Sequence, residues 1–347
     1  MRGRLLAALV AVGLSTPAQA VTITGAGATF PYPLYAKWAE AYHAITGIGI
    51  NYQSIGSGGG IRQINTGTVD FGASDMPLKP GILRKDGLVQ WPQVMGGIVV
   101  VVNLRGIAPG QLRLDGATLA GMYLGRLKQW DDPAIKKLNP GIVLPDLAIA
   151  TVHRADGSGT TFTFTHYLSE VDPEFRAKIG ESTAVAFPGG LGGKGNEGVA
   201  ALVARTDGAI GYVEYAFALQ NRMTYTLLRN AAGRFVSPGA DTFQAAAAHA
   251  DWTEAPGFYL LLTNEPGRDS WPITSATFIL LHRHQPDPEK TREILSFFDW
   301  AYHHGDAIAE RLGYVPMPPE VTGLVEEMWQ QKIVGPEGRP VWHRGGP

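Results

Sequence analysis

The chain of 347 residues contains no cysteine. Disulfides, thiolate metal sites and cysteine nucleophiles are excluded, as is a lipid-modified cysteine at a processed N-terminus. Basic charge is not in excess either: 29 Lys and Arg stand against 31 Asp and Glu, with no basic run. No nucleic-acid partner is therefore expected, and any bound anion must be held by a few placed groups. Beyond the first twenty residues, no uninterrupted apolar stretch approaches the ~20 residues needed to cross a bilayer. The internal runs "GGIVVVVNL" and "TFILLH" have strand length. No internal repeat, linker or compositional boundary is visible.

What is present begins with an export signal. Arg2 and Arg4 form a short basic start, Leu5 to Leu14 an apolar run, and Ala18-Gln19-Ala20 a small-x-small cleavage site. This pattern predicts a signal peptide over 1–20 and a mature protein outside the cytoplasm. Without Arg2 and Arg4 the balance becomes 27 minus 31, or −4. The length predicts two domains of roughly 150 residues each. Apolar residues make up 45% of the chain and charged ones 17%, enough to fill real cores and to exclude a disordered protein.

Strand-like and helix-like segments alternate, which predicts an α/β architecture with mostly parallel strands. Phe30, Leu34, Trp38, Ala41 and Ile45 follow a helical spacing after "VTITGAG", with Pro31 and Pro33 tolerable in a first turn. "GINYQSI", "VDFGASD", "LAIATVHR", "AIGYVEY" and "PITSATFILLH" read as strands. The clearest amphipathic helix runs from Glu289 to Leu312, with Ile294, Leu295, Phe298 and Trp300 as core residues.

Three segments share one form. "GAGATF" (25–30), "GSGGG" (56–60) and "DGSGTT" (156–161) each follow a strand, precede a helix and place glycines and hydroxyls at the junction. Such a helix N-terminus exposes unpaired N–H groups and a partial positive charge, which suits an anion. One such junction is ordinary capping; three, with Arg154 beside one of them, point to anion binding. The planar fork of Arg154 matches two oxygens of a tetrahedral anion, and Asp156 is placed to hold it. Alone, the pair also reads as a surface salt bridge. Asp75 reads locally as a turn residue. Beside an anion site it would repel any ligand without a proton to donate, admitting hydrogen phosphate over sulfate.

These segments carry a family resemblance. "GAGATFPYPLYAKWAEAY", "NYQSIGSGGG", "VDFGASDMPL", "RADGSGTTFTFTHYLS", "GLGGKGNEGVAALV", "GAIGYVEYA" and "WPITSATFIL" resemble the periplasmic phosphate-binding proteins of phosphate ABC transporters, from about Thr22 to the region of Met328. The resemblance implies a type II two-lobed periplasmic binding fold, each lobe a mixed, mainly parallel sheet flanked by helices, the two joined by hinge strands. Lobe I is expected over 21–101 and 275–347 and lobe II over 102–274. Phosphate is expected on Thr29, Phe30 (through its N–H), Ser57, Asp75, Arg154, Ser158, Gly159 and Thr160, with Asp156 orienting Arg154. Relatives often carry a second serine where this chain has Gly58, whose backbone N–H remains. The resemblance further implies a monomer without cofactor, delivering phosphate in the periplasm to the transmembrane subunits of an ABC permease with its cytoplasmic ATPase.

Rival readings rest on single features. Ser158 with His153 or His166 suggests a phosphate-ester hydrolase, but "DGSGT" has Asp where the G-x-S-x-G elbow needs its first glycine. Another tetrahedral oxyanion is the second rival. "GLGGKGN" is one residue short of a P-loop and has Gly195 at the Ser/Thr position, so a glycine-rich turn is expected there. His282 and His284, alternating on a strand, and His303-His304 read as polar surface. Exposed tryptophans and the pair Glu326-Glu327 read equally as a contact for a membrane partner or as a solvated helix face.

Overall fold

The computed structural model describes residues 22–343; the expected signal peptide, 1–20, lies outside the described residues. The strands are β1 (Thr22–Gly27), β2 (Gly49–Ser54), β3 (Phe71–Ser74), β4 (Leu88–Val102), β5 (Arg113–Leu114), β6 (Ala150–Arg154), β7 (Leu191–Gly193), β8 (Ala209–Glu214), β9 (Thr224–Tyr225), β10 (Leu227–Arg229), β11 (Phe235–Val236) and β12 (Thr274–His282). One mixed sheet has the order β2-β1-β3-β12-β4-β8-β6-β7, with β9 beside β4, and β11-β10-β5 form a small second sheet. The flanking strands β1, β2 and β3 pair in parallel, as do β6, β7 and β8. The central strands β12 and β4 run antiparallel to their neighbours.

Strand β4 connects the two sides. Its residues Leu88 to Gly97 pair with β12, and Ile98 to Val102 pair with β8. All fifteen of its residues are buried, which is why the sequence shows an apolar run without alternation. The run "GGIVVVVNL" marked only the second half of this strand.

The helix Tyr32–Thr46 starts with prolines in its first turn and stops at Gly47 in the left-handed region. Its buried stripe is Leu34, Tyr35, Trp38 and Tyr42, not the expected line through Ala41 and Ile45, and Ile45 is 69% exposed. The aromatic residues decide the rotation. Tyr35 stacks on Trp38, and Tyr42 packs against Phe297 and Trp300, burying more area than Ala41 and Ile45 offer.

Three further expectations are corrected. The helix read over Glu289 to Leu312 is two helices, Pro288–His304 and Asp306–Arg311. They meet at Gly305, a poor helix former whose carbonyl also accepts the indole N–H of Trp38 at 3.0 Å. The glycine-rich segment "GLGGKGN" forms β7 and then starts the helix Gly195–Arg205, because β6 offers it a parallel edge, with Arg154 opposite Gly193. The tryptophans are not exposed. Seven of the eight are buried and Trp300 is half-buried, because they fill the core between helices and sheet. Trp342, in the tail after "QKIVG", packs edge-on against Trp329. Among the described residues no helix is long and apolar enough to cross a membrane.

Candidate functional site

The three strand–helix junctions take the form expected. β1 leads to Thr29 and Phe30 before the helix at Tyr32, β2 leads to the helix Ser57–Asn65, and β6 leads to the helix Gly159–Val171. Thr29, Phe30, Ser57, Asp75, Arg154, Ser158 and Thr160 are all buried, and Gly159 likewise. A hydroxyl, a guanidinium and a carboxylate buried together demand partners, and the structure supplies most of them.

Ser57 and Asp75 come together with Gly159. The Ser57 Oγ accepts the N–H of Asp75 and the N–H of Gly159, each at 3.1 Å. A Cβ on Gly159 would lie 2.4 Å from that Oγ and 2.8 Å from Asp75 Oδ2, so only glycine permits this approach. Beside it, the Gly58 N–H donates to the Gly157 carbonyl at 2.9 Å. A Cβ on either glycine would lie 3.2 Å from the other's Cα. The N–H that the sequence left at Gly58 is thus spent on the backbone opposite. A serine there would press on Gly157.

Arg154 forms the second group. Its Nε donates to Asp156 Oδ1 at 2.8 Å and its Nη2 to Oδ2 at 2.5 Å, the fork-on-carboxylate arrangement. Nη1 reaches Thr160 Oγ1 at 3.3 Å. The pair is largely buried and is not a surface salt bridge: the Arg154 side chain is 1% exposed and that of Asp156 12%. Burial alone would raise the Asp156 carboxyl, but the Arg154 fork and the Gly195 N–H outweigh it and hold the group below the ordinary aspartate value. Ser158 does what a capping residue does, its Oγ accepting the Thr161 N–H at 3.0 Å. Neither candidate base reaches it: His153 Nδ1 lies against the Arg154 carbonyl and His166 Nδ1 against Glu181.

The carboxylate of Asp75 is unusual. Its Oδ1 accepts the Thr277 hydroxyl at 2.7 Å, while Oδ2 is buried without a partner among the described residues. Burial pushes the group up to about 7, against the lowering effects of the Thr277 hydroxyl and the Arg154 charge. The unfolded carboxyl ionises at its ordinary value, so the folded protein loses stability as pH rises from about 4 to about 7 and holds that deficit above. At 1.36 kcal/mol per pH unit the deficit is at most about 4 kcal/mol. Asp75→Asn is therefore expected to raise the thermal unfolding midpoint at about pH 8 in a buffer without multivalent anions, and the gain should vanish near pH 4. Melting curves across that range check it; a gain independent of pH would show that the buried charge is not its source.

Comparison with known proteins places the chain. A model of the PBP superfamily domain matches residues 14–303. The phosphate-binding protein PstS of Pasteurella multocida is 52% identical over 342 residues, covering 98% of this chain and 99% of its own length. The chain belongs to the PstS family of phosphate-binding proteins. The solved structure of a high-affinity periplasmic phosphate-binding protein bound with phosphate shares the fold at a TM-score of 0.71 and 22% identity, over 89% of this chain and 94% of that one. An ABC-type phosphate transport receptor from Vibrio cholerae aligns at 0.54 and 20% identity, over 85% of this chain and all of that one.

Around the groups foreseen in this PstS-family chain stand others that sequence reasoning missed. Asn196 donates from Nδ2 to Thr29 Oγ1 at 2.7 Å. Thr277 holds Asp75, Tyr212 bonds Thr161 and the Arg154 N–H, and Tyr314 donates to the Phe30 carbonyl at 2.7 Å. Two signals were available. "GGKGNEG" is a fourth junction of strand, glycine and helix N-terminus, and "ITSATF" puts hydroxyls inside an otherwise apolar strand. Tyr314 has no such signal in its local sequence. It also lies 3.0 Å from Glu214 Oε2, whose carboxyl burial pushes well above its ordinary value.

Proposed function

We infer that this chain is the phosphate receptor of a phosphate ABC transporter, binding inorganic phosphate and handing it to the transmembrane subunits of an inner-membrane permease with its cytoplasmic ATPase. The names of the relatives and of the Vibrio cholerae receptor support the class. The single observation that carries the ligand is the Asp75 Oδ2, a buried acceptor without a partner, set against Ser57 and Gly159. An acceptor in an anion site needs a ligand that is both an anion and a donor. Hydrogen phosphate is one, and sulfate at neutral pH is not.

The roles follow from hydrogen-bonding capacity. Thr29, Ser57, Ser158 and Thr160 offer hydroxyl protons, and Phe30 its N–H, which has no partner among the described residues. The Gly159 N–H donates to Ser57 Oγ in this structure and serves the ligand as a second backbone donor only by sharing that bond. Arg154 has five N–H donors and uses three on Asp156 and Thr160, which leaves two for ligand oxygens. Asp156 orients the guanidinium. A desolvated dianion needs donors on every oxygen, and each charge-assisted hydrogen bond contributes roughly 1.5–3 kcal/mol.

The chain divides into lobe I, 21–101 and 275–347, and lobe II, 102–274, with β4 and β12 as the strands that join them. The sites on Thr29, Ser57 and Asp75 belong to the first lobe and those on Arg154 to Thr160 to the second, so hinge closure brings them together. The protein works as a monomer, exported to the periplasm by the segment 1–20. It is a receptor and not a hydrolase, as its PstS relatives are named; the rival reading is also weakened because His153 and His166 bond to the Arg154 carbonyl and to Glu181 and not to Ser158. Titration of the purified protein with phosphate and with a phosphate monoester, while free phosphate is assayed, separates the two. Tight binding of phosphate without turnover is the expected result, and steady release of phosphate from the ester would reject the receptor reading.

A further inference from the structure

Deepening that reading and resting on it, we propose that Asn196 is a positioning residue that fixes the direction of the Thr29 hydroxyl proton and so makes Thr29 a donor to the anion. Asn196 is fully buried in the first turn of the helix Gly195–Arg205. Its Oδ1 accepts the backbone N–H of Glu214 at 3.0 Å. A backbone N–H only donates, so the amide cannot be turned round, and Nδ2 must be the atom facing Thr29. Nδ2 lies 2.7 Å from Thr29 Oγ1, and the Asn196 backbone N–H approaches the same oxygen at 3.3 Å.

A hydroxyl has two lone pairs and one proton. Asn196 occupies both lone pairs of Thr29, and the proton meets no acceptor among the described residues. It is therefore held for the ligand. Without Asn196 the hydroxyl is free to rotate and present a lone pair to the anion, which repels it. Ser57 is built on the same plan, its oxygen accepting two backbone N–H groups. There the direction is set by main chain. At Thr29 it depends chiefly on one side chain, which makes it open to mutation.

A double-mutant cycle on the full chain tests this, using Thr29→Val, Asn196→Asp and both together, with phosphate affinity read by titration calorimetry. Aspartate keeps the shape and the acceptor for the Glu214 N–H, so the fold is retained, but its carboxylate draws the Thr29 proton to itself. Thr29→Val is expected to weaken phosphate binding about tenfold in the natural chain. In the Asn196→Asp background the same change should cost less than about twofold, because the hydroxyl has already turned away, and the added charge cancels from the comparison. Equal losses in both backgrounds would overturn the proposal. Should Asn196→Asp melt early or bind too weakly to titrate, Asn196→Ala closes the same cycle with the same expectation. A natural chain that binds no phosphate would overturn the receptor reading along with this one; a chain that binds phosphate but shows additive losses would overturn the positioning role alone.

Discussion

Arg154→Met is expected to weaken phosphate binding by about a thousandfold or more. Methionine fills much of the space but removes the charge and the two N–H donors left over after Asp156 and Thr160 are served. It also leaves the largely buried Asp156 carboxylate without its guanidinium, served only by backbone N–H groups such as that of Gly195. An uncompensated buried negative charge then opposes the ligand, so the loss exceeds that of the two hydrogen bonds. Arg154→Lys keeps the charge but not the fork and should fall between the two. Equilibrium dialysis with labelled phosphate measures all three. A loss under about tenfold for the methionine variant would mean that the guanidinium does not touch the ligand.

Asp75→Asn should change which anion is bound more than how tightly phosphate is bound. The Thr277 hydroxyl donates to Oδ1, so the amide oxygen keeps that place and the NH2 takes the position of Oδ2. An acceptor becomes a donor. Sulfate, which met lone pair against lone pair, now gains a hydrogen bond, and its affinity is expected to rise by about two orders of magnitude relative to phosphate. Competition titrations with the two anions read the ratio directly. A ratio unchanged from the natural chain would remove Asp75 from selection. Together with the higher unfolding midpoint expected for the same variant, this makes Asp75 a group kept for discrimination at the expense of stability.

How far the sequence revealed this depends on the range of each interaction. The junctions at Thr29, Ser57 and Ser158 were legible because strand, glycine, hydroxyl and helix start lie within a few residues. Arg154 and Asp156 were legible as a pair for the same reason. Asp75 looked like a turn residue, since its meaning comes from Thr277, 202 positions away. Asn196 was hidden in a segment read as a turn, its partner Thr29 lying 167 residues earlier. The architecture was likewise partly visible. Alternating strands and helices gave the class, but a strand buried on both faces carries no mark of where β4 passes from β12 to β8. The rotation of the helix Tyr32–Thr46 was misjudged because spacing fits more than one face, and only the aromatic partners Phe297 and Trp300 choose between them.

On the reading proposed here, a buried acceptor among donors selects a protonated tetrahedral anion. Calorimetric titration of the natural chain with phosphate and with sulfate, side by side at about pH 8 and equal ionic strength, is the decisive check. Sub-micromolar phosphate binding and no saturable heat from sulfate at millimolar concentration are expected. Sulfate binding within about tenfold of phosphate would contradict that reading.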